Sequence, residues 1–144
     1  MDKTVIAIGN RLMMDDAVGV LVVENIKKQL EDRDIKVVIG ETDIEYAFSN
    51  LNNQDEFYIV DSTCYGASPG TVILKTIEEV KNTRVQSYTI HSLGLFDFIN
   101  LNKFDVKGYF IGIEIDTIDI NFGLSAKLQE HFNVISDKVL SLIT

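Results

Sequence analysis

One cysteine, one proline and no long apolar run set the first limits on this 144-residue chain. The lone Cys64 excludes an intramolecular disulfide framework and any multi-cysteine zinc or iron–sulfur site. No stretch reaches the roughly 18 to 20 consecutive apolar residues that a membrane span needs, so no membrane partner is expected. Positive charge is scarce as well: 13 Lys and Arg stand against 22 Asp and Glu, a net charge of −9. That balance opposes nucleic-acid binding and favours cationic partners such as metal ions, although acidity also serves plain solubility. The opening Met1-Asp2-Lys3-Thr4-Val5 lacks the sections of a signal peptide, and a cytoplasmic location is expected.

What is present is an apolar fraction of 46% in a length that suits one domain over residues 1–144, enough to bury a core without staples. No internal repeat, low-complexity tract or linker interrupts it.

Thr4 to Ile8 is short, apolar and partly β-branched, as a buried parallel strand should be. Gly9 and Asn10 then suit a turn. From Asp16 to about Gln29, Val18, Leu21, Val22, Ile26 and Leu30 follow helical spacing, with Asp15 or Asp16 able to cap the first turn. Ile35 to Ile39 reads as a second strand, Ile44 to Leu51 as a short helix capped by Asp43, and Phe57 to Val60 as a third strand ended by Asp61. Ser68-Pro69-Gly70-Thr71 fits a type II turn into a strand over Thr71 to Lys75, which lacks a crossover helix before it and so suits an antiparallel edge. Ile77 to Gln86 is polar and gives little pattern, with a loop expected at Lys81-Asn82-Thr83. Ser87 to Ile90 looks extended, and His91-Ser92 opens a helix containing Leu95, Phe98 and Ile99. Gly108 to Ile115 is the last strand, and Phe122-Gly123-Leu124-Ser125 leads into a final helix with Leu124, Leu128, Phe132, Ile135, Val139 and Leu142 on one stripe. The alternation implies an α/β fold with helices on both faces of the sheet.

Asp16, Asp61 and His91 all fall just beyond the carboxyl end of an expected strand. In an open α/β sheet that edge is the ligand crevice, so the three can converge. Two carboxylates and an imidazole form an oxygen and nitrogen set able to hold zinc, nickel, manganese or iron. Each has a structural reading too: Asp15 and Asp16 as caps, Asp61 as a paired strand-end acid, His91 as a hydrogen-bonded junction. Cys64 near His91 would suit a nucleophile, but a lone cysteine there reads better as an inert thiol. His131 falls on the exposed side of the final helix, and Met13-Met14 suits either soft metal contact or local packing.

These pieces resemble the hydrogenase maturation endopeptidases, which process the large subunit of nickel-containing hydrogenases. The resemblance is carried by Ile8-Gly9-Asn10 through Asp15-Asp16-Ala17-Val18-Gly19, Gly40-Glu41-Thr42, Val60-Asp61, Pro69-Gly70-Thr71, His91-Ser92-Leu93-Gly94-Leu95 and Phe122-Gly123-Leu124-Ser125, in the family's order. It implies a twisted, mostly parallel five-stranded sheet and a peptidase that removes a C-terminal extension from the large-subunit precursor after nickel insertion. It also implies metal-contacting and catalytic positions at Asp16, Asp61 and His91, with nickel carried by the substrate as a recognition element and no organic cofactor. Well-known members have glutamate where this chain has Asp16, and commonly glycine at Ala17. Either the metal polarises the scissile carbonyl or activates water with a carboxylate such as Asp16 as base, or a carboxylate attacks directly as in an aspartyl endopeptidase.

Two other readings compete. A non-catalytic metal-binding assembly factor would grip the same precursor with the same residues. A phospho-acceptor receiver domain also places acids after its first and third strands, but needs a lysine after the last strand, where Ile113-Glu114-Ile115-Asp116 has none. A large partner also calls for an exposed apolar patch near the site, with Leu12, Met13 and Met14 as candidates, and a monomer suits that use.

Overall fold

In the computed structural model, residues 2–49, 51, 55–82 and 107–144 are described. Strand β1 (Lys3–Ile8) is buried along nearly its whole length, as an apolar, β-branched run must be when sheet neighbours and helices enclose it. It pairs in parallel with β2 (Lys36–Glu41) on one side and β3 (Glu56–Thr63) on the other. β3 pairs in parallel with β5 (Gly108–Glu114), and β4 (Val72–Thr76) closes the edge antiparallel to β5. The order is β2-β1-β3-β5-β4, one five-stranded, mostly parallel sheet with the expected antiparallel edge strand.

The entry into β4 follows the type II pattern. Gly70 has φ +88° and the Thr71 amide donates to the Ser68 carbonyl at 3.0 Å.

Helices cover both faces. Helix α1 (Val18–Glu31) and the last helix, α4 (Ala126–Ile143), pack Val22, Ile26, Leu128 and Ile135 over Val5, Val60 and Ile111. On the other face α2 (Ile44–Phe48) and α3 (Ile77–Asn82) bring Phe48, Ile77 and Val80 against Ile6, Phe57 and Phe110. The expected cap of α2 forms, the Tyr46 amide donating to Asp43 Oδ1 at 3.0 Å, and α4 gains a cap of its own, the Leu128 amide donating to Ser125 Oγ at 3.4 Å. His131 is exposed on α4, as its place off the apolar stripe implies.

Four expectations are corrected. β3 does not stop at Val60: Asp61 pairs with Gly112, and the strand continues to Thr63 because Ser62 and Thr63 find side-chain partners. α2 ends at Phe48 rather than Leu51. Lys81 and Asn82 belong to α3 instead of a loop. That helix starts from a capping box, in which the Glu79 amide donates to Thr76 Oγ1 at 3.1 Å and the Thr76 amide to Glu79 Oε1 at 3.3 Å. Finally, α1 has no side-chain cap: a 3₁₀ turn (Met14–Ala17) precedes it, and the carboxylates of Asp15 and Asp16 bond elsewhere. The expected strand at Ser87 to Ile90 and the helix opening at His91 lie outside the described residues.

Tyr58 is buried on β3 and stacks on Tyr109 at 5.0 Å between ring centres. Burial, then the nearby Glu56, pushes its phenol up to about 12. A folded pKa raised above the unfolded value of about 10 gives stability that is complete below about pH 10 and lost as pH climbs through about 12. The expected loss is roughly 2–3 kcal/mol, and Tyr58→Phe should remove that part of the alkaline decline in urea melts on either side of the window.

Candidate active site

The carboxyl ends of the parallel strands gather acids. Among the described residues the buried acids are Asp15, Asp16, Asp61 and Glu114, and all four sit on or just beyond β1, β3 and β5 at that end. Buried carboxylates are costly unless hydrogen bonds satisfy them, so the surroundings must supply donors. They do.

The turn after β1 is built to face Asp16. A Cβ on Gly9 would lie 2.5 Å from the Asp16 carbonyl oxygen, so glycine is required for the chain to fold back this closely. The next residue then donates its amide: Asn10 N–H reaches Asp16 Oδ2 at 3.0 Å, while Asn10 Oδ1 accepts from the Leu12 amide at 2.9 Å. Met14 adopts φ +47°, and the 3₁₀ turn carries Asp15 and Asp16 inward to 0% and 1% exposure.

Gly19 fixes how near this turn lies to β3. A Cβ there would stand 2.7 Å from the Val60 carbonyl oxygen and 3.1 Å from the Asp61 Cα. The start of α1 therefore rests directly on the β3 backbone beside Asp61. Gly19→Ala should lift the helix and lose about 1–3 kcal/mol, read as a lower urea midpoint, and should separate Asp16 from Ser62.

Ser62 joins the two candidate acids. Its hydroxyl donates to Asp16 Oδ1 at 2.8 Å and its amide to Asp61 Oδ1 at 2.7 Å, all of it buried. Strand alternation puts Ser62 on the α1 face with Val60, and Asp61 on the opposite face with Ile59. Asp16 and Asp61 are thus brought to one serine from two sides of the sheet edge. His91, the proposed third member, lies outside the described residues, and among these no three His, Cys, Asp or Glu side chains are grouped to hold a metal.

Asp15 has a different role from the cap expected of it. Its carboxylate accepts from the Ser125 amide and hydroxyl, each at 2.7 Å, and from the amides of Asp116 and Thr117 at 3.0 and 2.8 Å. It fastens the segment after β5, and the start of α4, to the turn that carries Asp16. Glu114 does the same for the loop after Asp61, accepting from Thr63 Oγ1 at 2.8 Å and from the Tyr65 and Gly66 amides at 3.4 and 3.3 Å. Cys64 in that loop is exposed.

Arg11 closes the outer side. It makes a two-pronged ion pair with Glu24 at 2.7 and 2.8 Å and a second ion pair with Glu41, which holds φ +54°. Glu24, and then Glu41, raise the guanidinium above its ordinary range, and the same contact holds Glu24 below the usual carboxylate value. The turn's own cation is neutralised, leaving the negative charge of the inner acids to set the local field.

Ser62, Ser125 and Glu114 were not singled out from the sequence. The polar run Asp61-Ser62-Thr63 at the end of an apolar strand was the available signal for Ser62. Nothing local marks Asp15 and Ser125 as partners across 110 positions.

Against known proteins, a family model described as hydrogenase maturation protease (HycI) matches residues 20–143, a span that includes Asp61 and begins just past Asp16. The chain is similar to the hydrogenase 2 maturation protease of Escherichia coli K12, at 24% identity over 96% of this chain and 88% of that one. Its fold matches the [NiFe] hydrogenase maturation protease HybD from Thermococcus kodakarensis, with a TM-score of 0.80, 23% identity and both chains covered completely. The hydrogenase maturating endopeptidase HybD from E. coli also matches, at a TM-score of 0.80 and 24% identity over 99% of this chain and 91% of that one. Among the described residues no helix is long and apolar enough to cross a membrane.

Proposed function

This chain belongs to the hydrogenase maturation protease family, and from that premise we propose that it is an endopeptidase removing the C-terminal extension of a nickel hydrogenase large-subunit precursor, with the precursor's nickel as the recognition element. The observation that carries the reading is the meeting of Asp16 and Asp61 on Ser62 at the sheet's carboxyl edge. Carboxylate oxygens have two lone pairs each, so a bond from Ser62 or Asn10 is compatible with metal contact. With the imidazole of His91 the set becomes the mixed oxygen and nitrogen type that suits nickel.

In this reading Asp61 and His91 contact the nickel borne by the substrate and thereby fix the scissile bond. Asp16 accepts the proton from the water that attacks the scissile carbonyl. Bonds from Ser62 Oγ and the Asn10 amide hold the Asp16 carboxyl in a fixed orientation. Asp16 is one methylene shorter than the glutamate of well-known members, and Gly19 lets the start of its helix rest directly on the β3 backbone. The enzyme acts as a cytoplasmic monomer and needs no organic cofactor.

The test is incubation of purified chain with a nickel-loaded precursor, followed by electrophoresis and size exclusion. A shortened precursor is the expected product. Full-length precursor held in a stable complex would make the chain a non-catalytic assembly factor instead.

A further inference from the structure

The most exposed large apolar side chains among the described residues, Ile120 at 82% and Phe122 at 73%, lie side by side with a third, Leu12 at 52%. They are not scattered. Met13 and Asn121 form a parallel bridge in which the Asn121 amide donates to the Leu12 carbonyl at 2.9 Å and the Met14 amide to the Asn121 carbonyl at 3.0 Å. That register sets Leu12 beside Ile120 and Met14 beside Phe122.

The backbone beneath them is fastened at both ends. Asp15 grips Asp116 and Thr117 before the apolar residues and Ser125 after them. Exposed apolar groups on such a fixed platform mark an interaction surface, since a monomer gains nothing from holding them in water. The platform continues directly into Asp15 and Asp16 on one strand of the bridge, so whatever covers it arrives next to the candidate site.

Its surroundings are acidic. Asp116 and Asp119 are exposed on the same segment, Lys127 stands 3.9 Å from Asp116, and Arg11 is already paired with Glu24 and Glu41. A complementary occupant offers apolar side chains flanked by Lys or Arg.

We propose that Leu12, Ile120 and Phe122 form the docking surface for an apolar, basic-flanked segment of the precursor, seating it before its cleavage bond reaches Asp16. This rests on the functional reading above. It adds a binding determinant separate from the acids that perform the chemistry.

The experiment compares wild type, Ile120→Ser/Phe122→Ser and the control Val134→Ser, an exposed apolar site on α4, in steady-state processing of the nickel-loaded precursor and in sedimentation without it. The double variant should raise KM by about 10-fold or more with kcat within about twofold, the signature of lost uniform binding. Added salt should raise the wild-type KM further, and Val134→Ser should match wild type. Unchanged KM in the double variant, or an equal rise in the control, overturns the docking surface while leaving the peptidase intact. A wild-type dimer that the double variant converts to monomer overturns it in favour of a self-interface. Failure of wild type itself to process the precursor removes the functional reading and the occupant together, and the wild-type reaction alone reveals that case.

Discussion

Asp61→Asn is expected to leave the fold standing and to cut precursor processing by on the order of 10²–10⁴-fold, the range for losing a positioned charged group at a reacting centre. The substitution is chosen for what it keeps. An asparagine Oδ1 still accepts from the Ser62 amide, so the 2.7 Å bond that holds this point of β3 survives. What disappears is the negative charge and one carboxylate oxygen, the features through which a carboxylate meets a cation. Were Asp61 only a structural residue, the substitution would be felt in the urea melt, and the folded variant would process the precursor within about threefold of wild type. Single-turnover cleavage paired with a urea melt separates the two cases.

The largest loss of stability is expected from Asp15→Ala. Removing that carboxylate leaves the buried Ser125 amide and hydroxyl without their acceptor and releases the amides of Asp116 and Thr117. Unsatisfied buried groups cost about 1–3 kcal/mol each, and the more exposed amides can turn to water, so the two Ser125 groups set a total of about 2–6 kcal/mol. A helix cap would predict something smaller, about 1 kcal/mol, and confined to α1. Hydrogen exchange decides: faster exchange across 116–125 supports the anchor, whereas a change limited to the first turn of α1 would restore the cap. Because the same anchor holds Ile120 and Phe122 in place, Asp15→Ala should also raise KM for the precursor.

Asp15 and Asp16 show what the sequence could and could not convey. Their position was legible, because the strand, turn and helix around Gly9 to Gly19 are each set by local pattern, and the crevice of an α/β sheet follows from topology. So were β4 and its edge placement, which Ser68-Pro69-Gly70-Thr71 and the missing crossover helix dictate. The division of labour between Asp15 and Asp16 was not legible. It is settled by Ser125 and Ser62, which are distant in the chain and reach the acids only after the sheet has assembled. The extension of β3 through Asp61 was hidden for a related reason: polar residues end a strand on local grounds, but here the neighbouring β5 supplies the pairing. α3 was missed because its apolar residues are few, although Thr76-Ile77-Glu78-Glu79 carries a capping box that announces it.

The most direct test of the account is the intact mass of a hydrogenase large-subunit precursor after incubation with this chain, nickel-loaded and nickel-free samples run side by side. The account predicts that the nickel-loaded precursor alone loses a C-terminal peptide, while the nickel-free one keeps its full mass. An unchanged mass in both, under conditions where an E. coli family member cleaves, would contradict it.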